Sequence, residues 1–144
     1  MNSLDTNILL YATNADCPEH RKALVVVEEM LRDPGEWILA DQVLFEYYRL
    51  VRNPTVLTHP LNAEAAVRQL KFFREKSGCA HCAYETEMWS TLASCLQTPS
   101  FTARRTFDAV LAVTLKRHGI KRFFTGNRSD FTPFGWFEVI DPLA

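Results

Sequence analysis

Apolar positions along the chain fall into two alternating patterns, and the alternation predicts an α/β protein. Short unbroken apolar runs bounded by turn residues mark strands at the opening residues up to Asp5, at Trp37–Ala40, at Arg122–Thr125 and at Trp136–Ile140. Between them the apolar residues return every three or four positions, as on one face of a helix. Thr6 and Asn7 open a first helix. Pro18–Leu31 carries Ala23, Val26, Val27, Met30 and Leu31, and a helix after Asp41 carries Val43, Leu44, Tyr47, Leu50 and Val51. Asp41 is placed to cap that helix, and Asn62 to cap another over Ala63–Lys76 with Ala66, Val67, Leu70 and Phe73 turned inward. Glu85–Leu96 is a further helix. The last and longest runs from about Thr102 to His118, with Gly119 just beyond its end. Asp33-Pro34-Gly35-Glu36, Asn53-Pro54 and Thr98-Pro99-Ser100 separate the segments. Helices alternating with short strands imply a mostly parallel sheet covered on both faces.

Composition narrows the function classes. A chain of 144 residues, 47% hydrophobic and 23% charged, is expected to form one domain with an ordinary core. It contains no run of ~18 apolar residues that would span a membrane. No leader is expected either, so the cytoplasm is the default location. A formal net charge of −1 argues against a strong nonspecific nucleic-acid binder. It is compatible with an acidic, metal-neutralised centre beside a local basic rim. Arg68, Lys71, Arg74 and Lys76 on the outer face of the fourth helix are the candidates for that rim. Cys17, Cys79, Cys82 and Cys95 do not suggest a disulfide framework. Cys79-Ala80-His81-Cys82 lacks the second ligand pair of a structural zinc site, and its thiols are expected simply to pack or face solvent.

Four places carry unexplained polar chemistry. Asp5 stands in apolar surroundings, where a carboxylate is costly unless paired, hydrogen-bonded or bound to a metal. It either caps the helix that follows or belongs to a site at the carboxyl end of a strand, where open α/β sheets bind ligands. Glu46 borders the apolar stripe of its helix. Asp108 is the sole charge in Phe107–Leu115, a segment apolar nearly all round, and so is the strongest functional signal; pairing with Arg104 or Arg105 is its structural alternative. Asn127 and Asp130 lie in the loop Gly126–Phe131, at the end of another strand.

Taken in order, Leu4-Asp5-Thr6-Asn7-Ile8-Leu9, Glu46 within Gln42–Glu46, Arg105-Thr106-Phe107-Asp108-Ala109 and Thr125-Gly126-Asn127 with Asp130-Phe131 resemble the motifs of PIN-domain nucleases. The resemblance is specifically to the VapC-type toxins of bacterial and archaeal toxin–antitoxin pairs. The resemblance covers essentially the whole chain. It implies a three-layer α/β/α domain that cleaves RNA with Mg²⁺ or Mn²⁺. It makes Asp5 and Asp108 the main metal ligands and Glu46 a further carboxylate. Thr6 becomes the hydroxyl that orients the first aspartate. It also implies a cognate antitoxin and a homodimer. The family often has an aspartate where this chain has Asn127, which brings no charge; Asp130 either compensates or fixes the loop. Two other readings compete: a PIN-like module that binds RNA or protein without cutting, and a phosphate-accepting signalling domain. The second lacks an acidic neighbour for Asp5, and Lys121 precedes its strand rather than ending it.

Overall fold

The computed structural model describes residues 1–144. Five three-residue strands, β1 (Asn2–Leu4), β2 (Ile38–Ala40), β3 (Ala80–Cys82), β4 (Arg122–Phe124) and β5 (Glu138–Ile140), all pair in parallel. One ladder runs β1-β4-β5 and the other is β2-β3. A parallel bridge between Asn2 and Trp37, with Ser3 Oγ donating to the Ile38 carbonyl at 2.6 Å, joins β2 to the free side of β1. The spatial order is therefore β3-β2-β1-β4-β5.

Parallel neighbours require crossovers, and helices supply them. They are α1 (Thr6–Thr13), α2 (His20–Arg32), α3 (Asp41–Val51), α4 (Ala63–Lys71), α5 (Trp89–Leu96), α6 (Thr106–Arg117) and the single turn α7 (Arg128–Phe131). Right-handed crossovers place connections that run in opposite directions along the sheet on opposite faces. The helices before β3 and those after it accordingly form two layers, as the sequence pattern predicts. Leu4, Ile8, Leu9, Leu39, Val43, Leu115 and Phe123 meet in the main core, and Met88, Leu92, Ala109 and Val113 form a smaller one between α5 and α6. Phe123 packs against Phe131 and Phe137, with ring centroids 4.8 and 5.6 Å away, which ties α7 to β4.

Several sequence-based expectations change. Ala80–Cys82 is a strand, and the free thiols of Cys79 and Cys82 are buried, with burial pushing Cys82 up to about 12. Asp41 does not cap α3; it is the first helical residue and pairs with Arg74 at 3.3 Å. Asn62 does cap α4, accepting from Ala65 N at 2.8 Å, but the last predicted turn continues as a π-helix over Phe72–Lys76. Val67, expected inward, is 40% exposed. The last long helix is preceded by a separate 3₁₀ turn, Ala103–Arg105, so α6 starts later than expected and Asp108 lies in its first turn. A carboxylate there faces the positive end of the helix dipole. No helix is long and apolar enough to cross a membrane.

Candidate acidic site at the sheet edge

From β1 the chain first builds outward through β2 and β3, then returns to lay β4 and β5 on the other side. The switch point lies between β1 and β4, and at such points open α/β sheets bind ligands beyond the strand ends. The register Leu4↔Phe124 puts Asp5 and Thr125 side by side there. The Asp5 N–H still donates to the Phe124 carbonyl at 2.9 Å, so the carboxylate leaves from a fixed backbone.

The capping expectation for Asp5 is met, and the cap stands among other acids. It caps α1, with Oδ1 accepting from Thr6 N at 2.8 Å, and it also faces other carboxylates. Oδ2 accepts from Thr125 Oγ1 at 2.8 Å and from Asn7 Nδ2 at 3.3 Å. Burial is the main force that raises the Asp5 pKa to about 6; Glu46 and Asp108 push the same way, while the bonds from Thr125 and Thr6 pull it back.

Glu46 reaches the site from α3, whose buried face is set by Val43, Tyr47 and Val51. Its Oε2 accepts from Thr6 Oγ1 at 3.2 Å, and Arg49 stands 3.9 Å from Oε1. The Thr6 hydroxyl thus serves Glu46 rather than orienting Asp5, as the resemblance implied. Thr125 supplies the hydroxyl that orients Asp5.

Asp108 is half-buried, and its proton affinity is raised by burial, then by Asp130; Glu46 adds to this, and Arg105 and Arg104 oppose it. Asp130 sits on α7 with its side chain 20% exposed, 3.2 Å from Arg104 Nη2. Asn127 is exposed and contributes its main chain, donating to Thr125 Oγ1 at 2.9 Å. Asp5, Glu46, Asp108 and Asp130 therefore gather at one sheet edge, while the Asn127 side chain makes no hydrogen bond there.

Asn7 and Thr125 were quoted in the motifs but assigned no role. Asn7 bridges the two strand ends, holding Asp5 through Nδ2 and accepting from Gly126 N at 3.0 Å through Oδ1. A Cβ on Gly126 would stand 3.0 Å from Leu143 and 3.5 Å from Asn7 Oδ1, so a side chain there presses on this bridge. The signal for both residues is their position: Thr125 directly follows β4, and Asn7 lies three residues past the end of the adjacent parallel strand β1.

The donors are carboxylate oxygens, the ligands that hard divalent cations prefer. No three acidic, histidine or cysteine side chains converge closely enough to enclose an ion by themselves. Mg²⁺ does not require such a cage, being typically held by one or two carboxylates while it keeps several waters. Burial raises Asp5 to about 6 and the nearby Glu46 and Asp108 push the same way, a conflict that a bound cation would relieve.

This architecture and edge chemistry define a class. Residues 3–132 match the PIN domain model, and the chain belongs to that family. Among its relatives, Ribonuclease VapC24 of Mycobacterium tuberculosis is 42% identical over 147 residues, covering 100% of this chain and 98% of the relative. Ribonuclease VapC48 of the same organism is 28% identical over 142 residues, covering 99% and 97%. The fold is shared with the crystal structure of M. tuberculosis VapC20, described as a sarcin-ricin loop cleaving toxin, at a TM-score of 0.71 and 18% identity over 98% of this chain and 100% of that one. It is also shared with FitAcB from Neisseria gonorrhoeae, at a TM-score of 0.65 and 17% identity over 99% and 98%.

Proposed function

We propose that the chain is a divalent-metal-dependent endoribonuclease, the toxin of a toxin–antitoxin pair, acting in the cytoplasm. The observation that carries this reading is the gathering of Asp5, Glu46, Asp108 and Asp130 at the switch point, with Asp5 buried and raised to about 6. In it Asp5 and Asp108 would hold Mg²⁺ or Mn²⁺. When bound, such an ion lowers the pKa of a coordinated water and stabilises charge on a phosphodiester.

The remaining work falls to the chain's own residues. Thr125 and Asn7 hold the Asp5 carboxylate in one orientation, and Thr6 N closes its third side. Thr6 Oγ1 aims Glu46, which is 44% exposed on its side chain and in this reading would take a proton from an attacking water. Asp130 adds negative charge beside Asp108, which would strengthen the hold on a cation. Asn127 has a structural part, keeping Thr125 in place through its N–H.

The toxin reading brings an antitoxin and a homodimer with it. Phe45, Tyr84 and Phe107 are 68, 39 and 72% exposed and line a cavity of about 710 Å³ that Glu46 and Arg49 share. Such an apolar rim beside the acids supports a partner that covers the site.

The test is cleavage of a mixed structured RNA pool by the purified chain with Mg²⁺, with Mn²⁺ and with chelator, beside Asp108→Asn. Metal-dependent cutting that disappears in the variant is the expected result. Cutting that survives in chelator or in Asp108→Asn overturns the assignment. Mn²⁺ binding with no turnover on any RNA favours the module that binds without cutting, the reading to which the uncharged Asn127 lends support.

A further inference from the structure

Arg104 and Arg105 lie one turn before Asp108, yet neither forms the ion pair with it that this spacing invites. Both turn to Asp130. Arg104 Nη2 lies 3.2 Å from Asp130 Oδ1, and Arg105 Nη2 donates to the Asp130 main-chain carbonyl. The two arginines are built differently. Arg104 has a side chain 71% exposed, whereas Arg105 is partly buried, its guanidinium between the rings of Phe101 and Phe134 at 5.4 and 5.2 Å from their centroids.

A planar guanidinium between two rings is held in orientation as well as in place, which an ammonium group cannot reproduce. The one side-chain hydrogen bond of Arg105 goes to the Asp130 carbonyl, and its Nε is buried without an acceptor. Phe134 follows Asp130 by four residues, in the 3₁₀ turn Thr132–Phe134. Arg105 thus grips this segment by a carbonyl and by a ring. Asp130 Oδ1 is taken by Arg104, and Oδ2 carries no hydrogen bond.

We infer that Arg105 is a positioning residue: locked between Phe101 and Phe134, it fixes the main chain at Asp130 so that this carboxylate stands beside Asp108. The inference rests on the nuclease reading, in which that pair of acids serves a cation. Residues that orient metal-site carboxylates typically change affinity or activity by roughly 10–100-fold when removed.

The test is a double-mutant cycle with Arg105→Met, Asp130→Asn and both together, with Arg104→Met as a second arm on the exposed partner. Three quantities are measured: Mn²⁺ affinity by electron paramagnetic resonance, kcat and KM on the cleaved RNA, and near-ultraviolet circular dichroism for packing. In Arg105→Met the Mn²⁺ affinity is expected to weaken by about tenfold and kcat to fall by a similar factor, with KM for RNA within about twofold of wild type. Both losses should vanish when Asp130 is already Asn. Arg104→Met should show a smaller change of the same kind.

Equal losses in the native and Asp130→Asn backgrounds would overturn the inference, as would an Asp130→Asn protein with unaltered Mn²⁺ affinity. If Arg105→Met fails to fold, the Arg104–Asp130 cycle decides, and strict additivity there counts against the clamp. Wild-type protein that binds Mn²⁺ but cuts no RNA defeats the nuclease reading while the affinity cycle still judges Arg105. Wild-type protein that binds no Mn²⁺ defeats both.

Discussion

Replacing Asp5 by Asn should stabilise the metal-free protein at alkaline pH relative to acid pH. Asp5 is 7% exposed, and its folded-state pKa of about 6 stands above the ordinary aspartate value of 3.8. The native state therefore binds more protons than the unfolded chain between those values, and stability falls as pH rises through that window. The penalty is absent well below 3.8 and complete above about 6. A shift from 3.8 to about 6 corresponds to about 3 kcal/mol when fully developed. At pH 4 the unfolded carboxyl is already partly ionised, so the change between pH 4 and pH 8 is about 2 kcal/mol.

Asn at position 5 loses some acceptor capacity toward Thr125 and Asn7, at about 1 kcal/mol per bond. That loss is nearly independent of pH, so the slope is the diagnostic and not the absolute stability. Urea unfolding of both proteins in chelator at unit pH steps from 4 to 8 measures it. The advantage of Asp5→Asn should grow by about 2 kcal/mol over the range. Saturating Mn²⁺ should then favour the wild type, because a ligand of the native state stabilises it. A difference between the two proteins that stays flat, or shrinks, from pH 4 to pH 8 would refute the account of Asp5.

Three further outcomes follow from the same contacts. Thr125→Val removes the donor to Asp5 and the acceptor for Asn127 N, so it should cost about 1–3 kcal/mol in urea unfolding and raise the Asp5 titration above about 6 in carboxyl-carbon NMR. Glu46→Gln removes a minor charge contribution that raises Asp5, so the Asp5 titration should move slightly below about 6 in the same NMR experiment, burial still holding it above 3.8, while the thermal midpoint holds. Phe123→Ala, at a fully buried position between Phe131 and Phe137, should lose about 3–5 kcal/mol by thermal or urea unfolding and loosen α7.

The parts of the fold and site visible in the sequence are those set by local pattern. Asp5 stands out because a carboxylate among apolar residues has few explanations, and Glu46 because it borders a helical stripe. Asp108 stands out in the sequence as a charge inside an apolar helical run, a reason that the structure replaces. With α6 beginning at Thr106, Asp108 lies in a first turn that an aspartate ordinarily suits, and what sets it apart is the proximity of Asp130 and Glu46. β3 was hidden because three residues, one exposed and one half-buried, carry no period. The exchange of roles between Thr6 and Thr125 depends on the register Leu4↔Phe124, a pairing 120 residues apart that no local spacing encodes. Asp41 illustrates the opposite error: a good capping residue, it lies one position inside the helix and pairs with Arg74 instead.

The central claim is that these carboxylates hold a divalent cation that RNA cleavage requires. Titrating Mn²⁺ into the wild-type chain and into Asp108→Asn by calorimetry, with cleavage of the structured RNA pool followed in the same samples, tests it most directly. Saturable binding and cleavage in the wild type, with both lost in Asp108→Asn, is the predicted result. Undiminished Mn²⁺ binding in Asp108→Asn, or cleavage that continues without it, would contradict the claim.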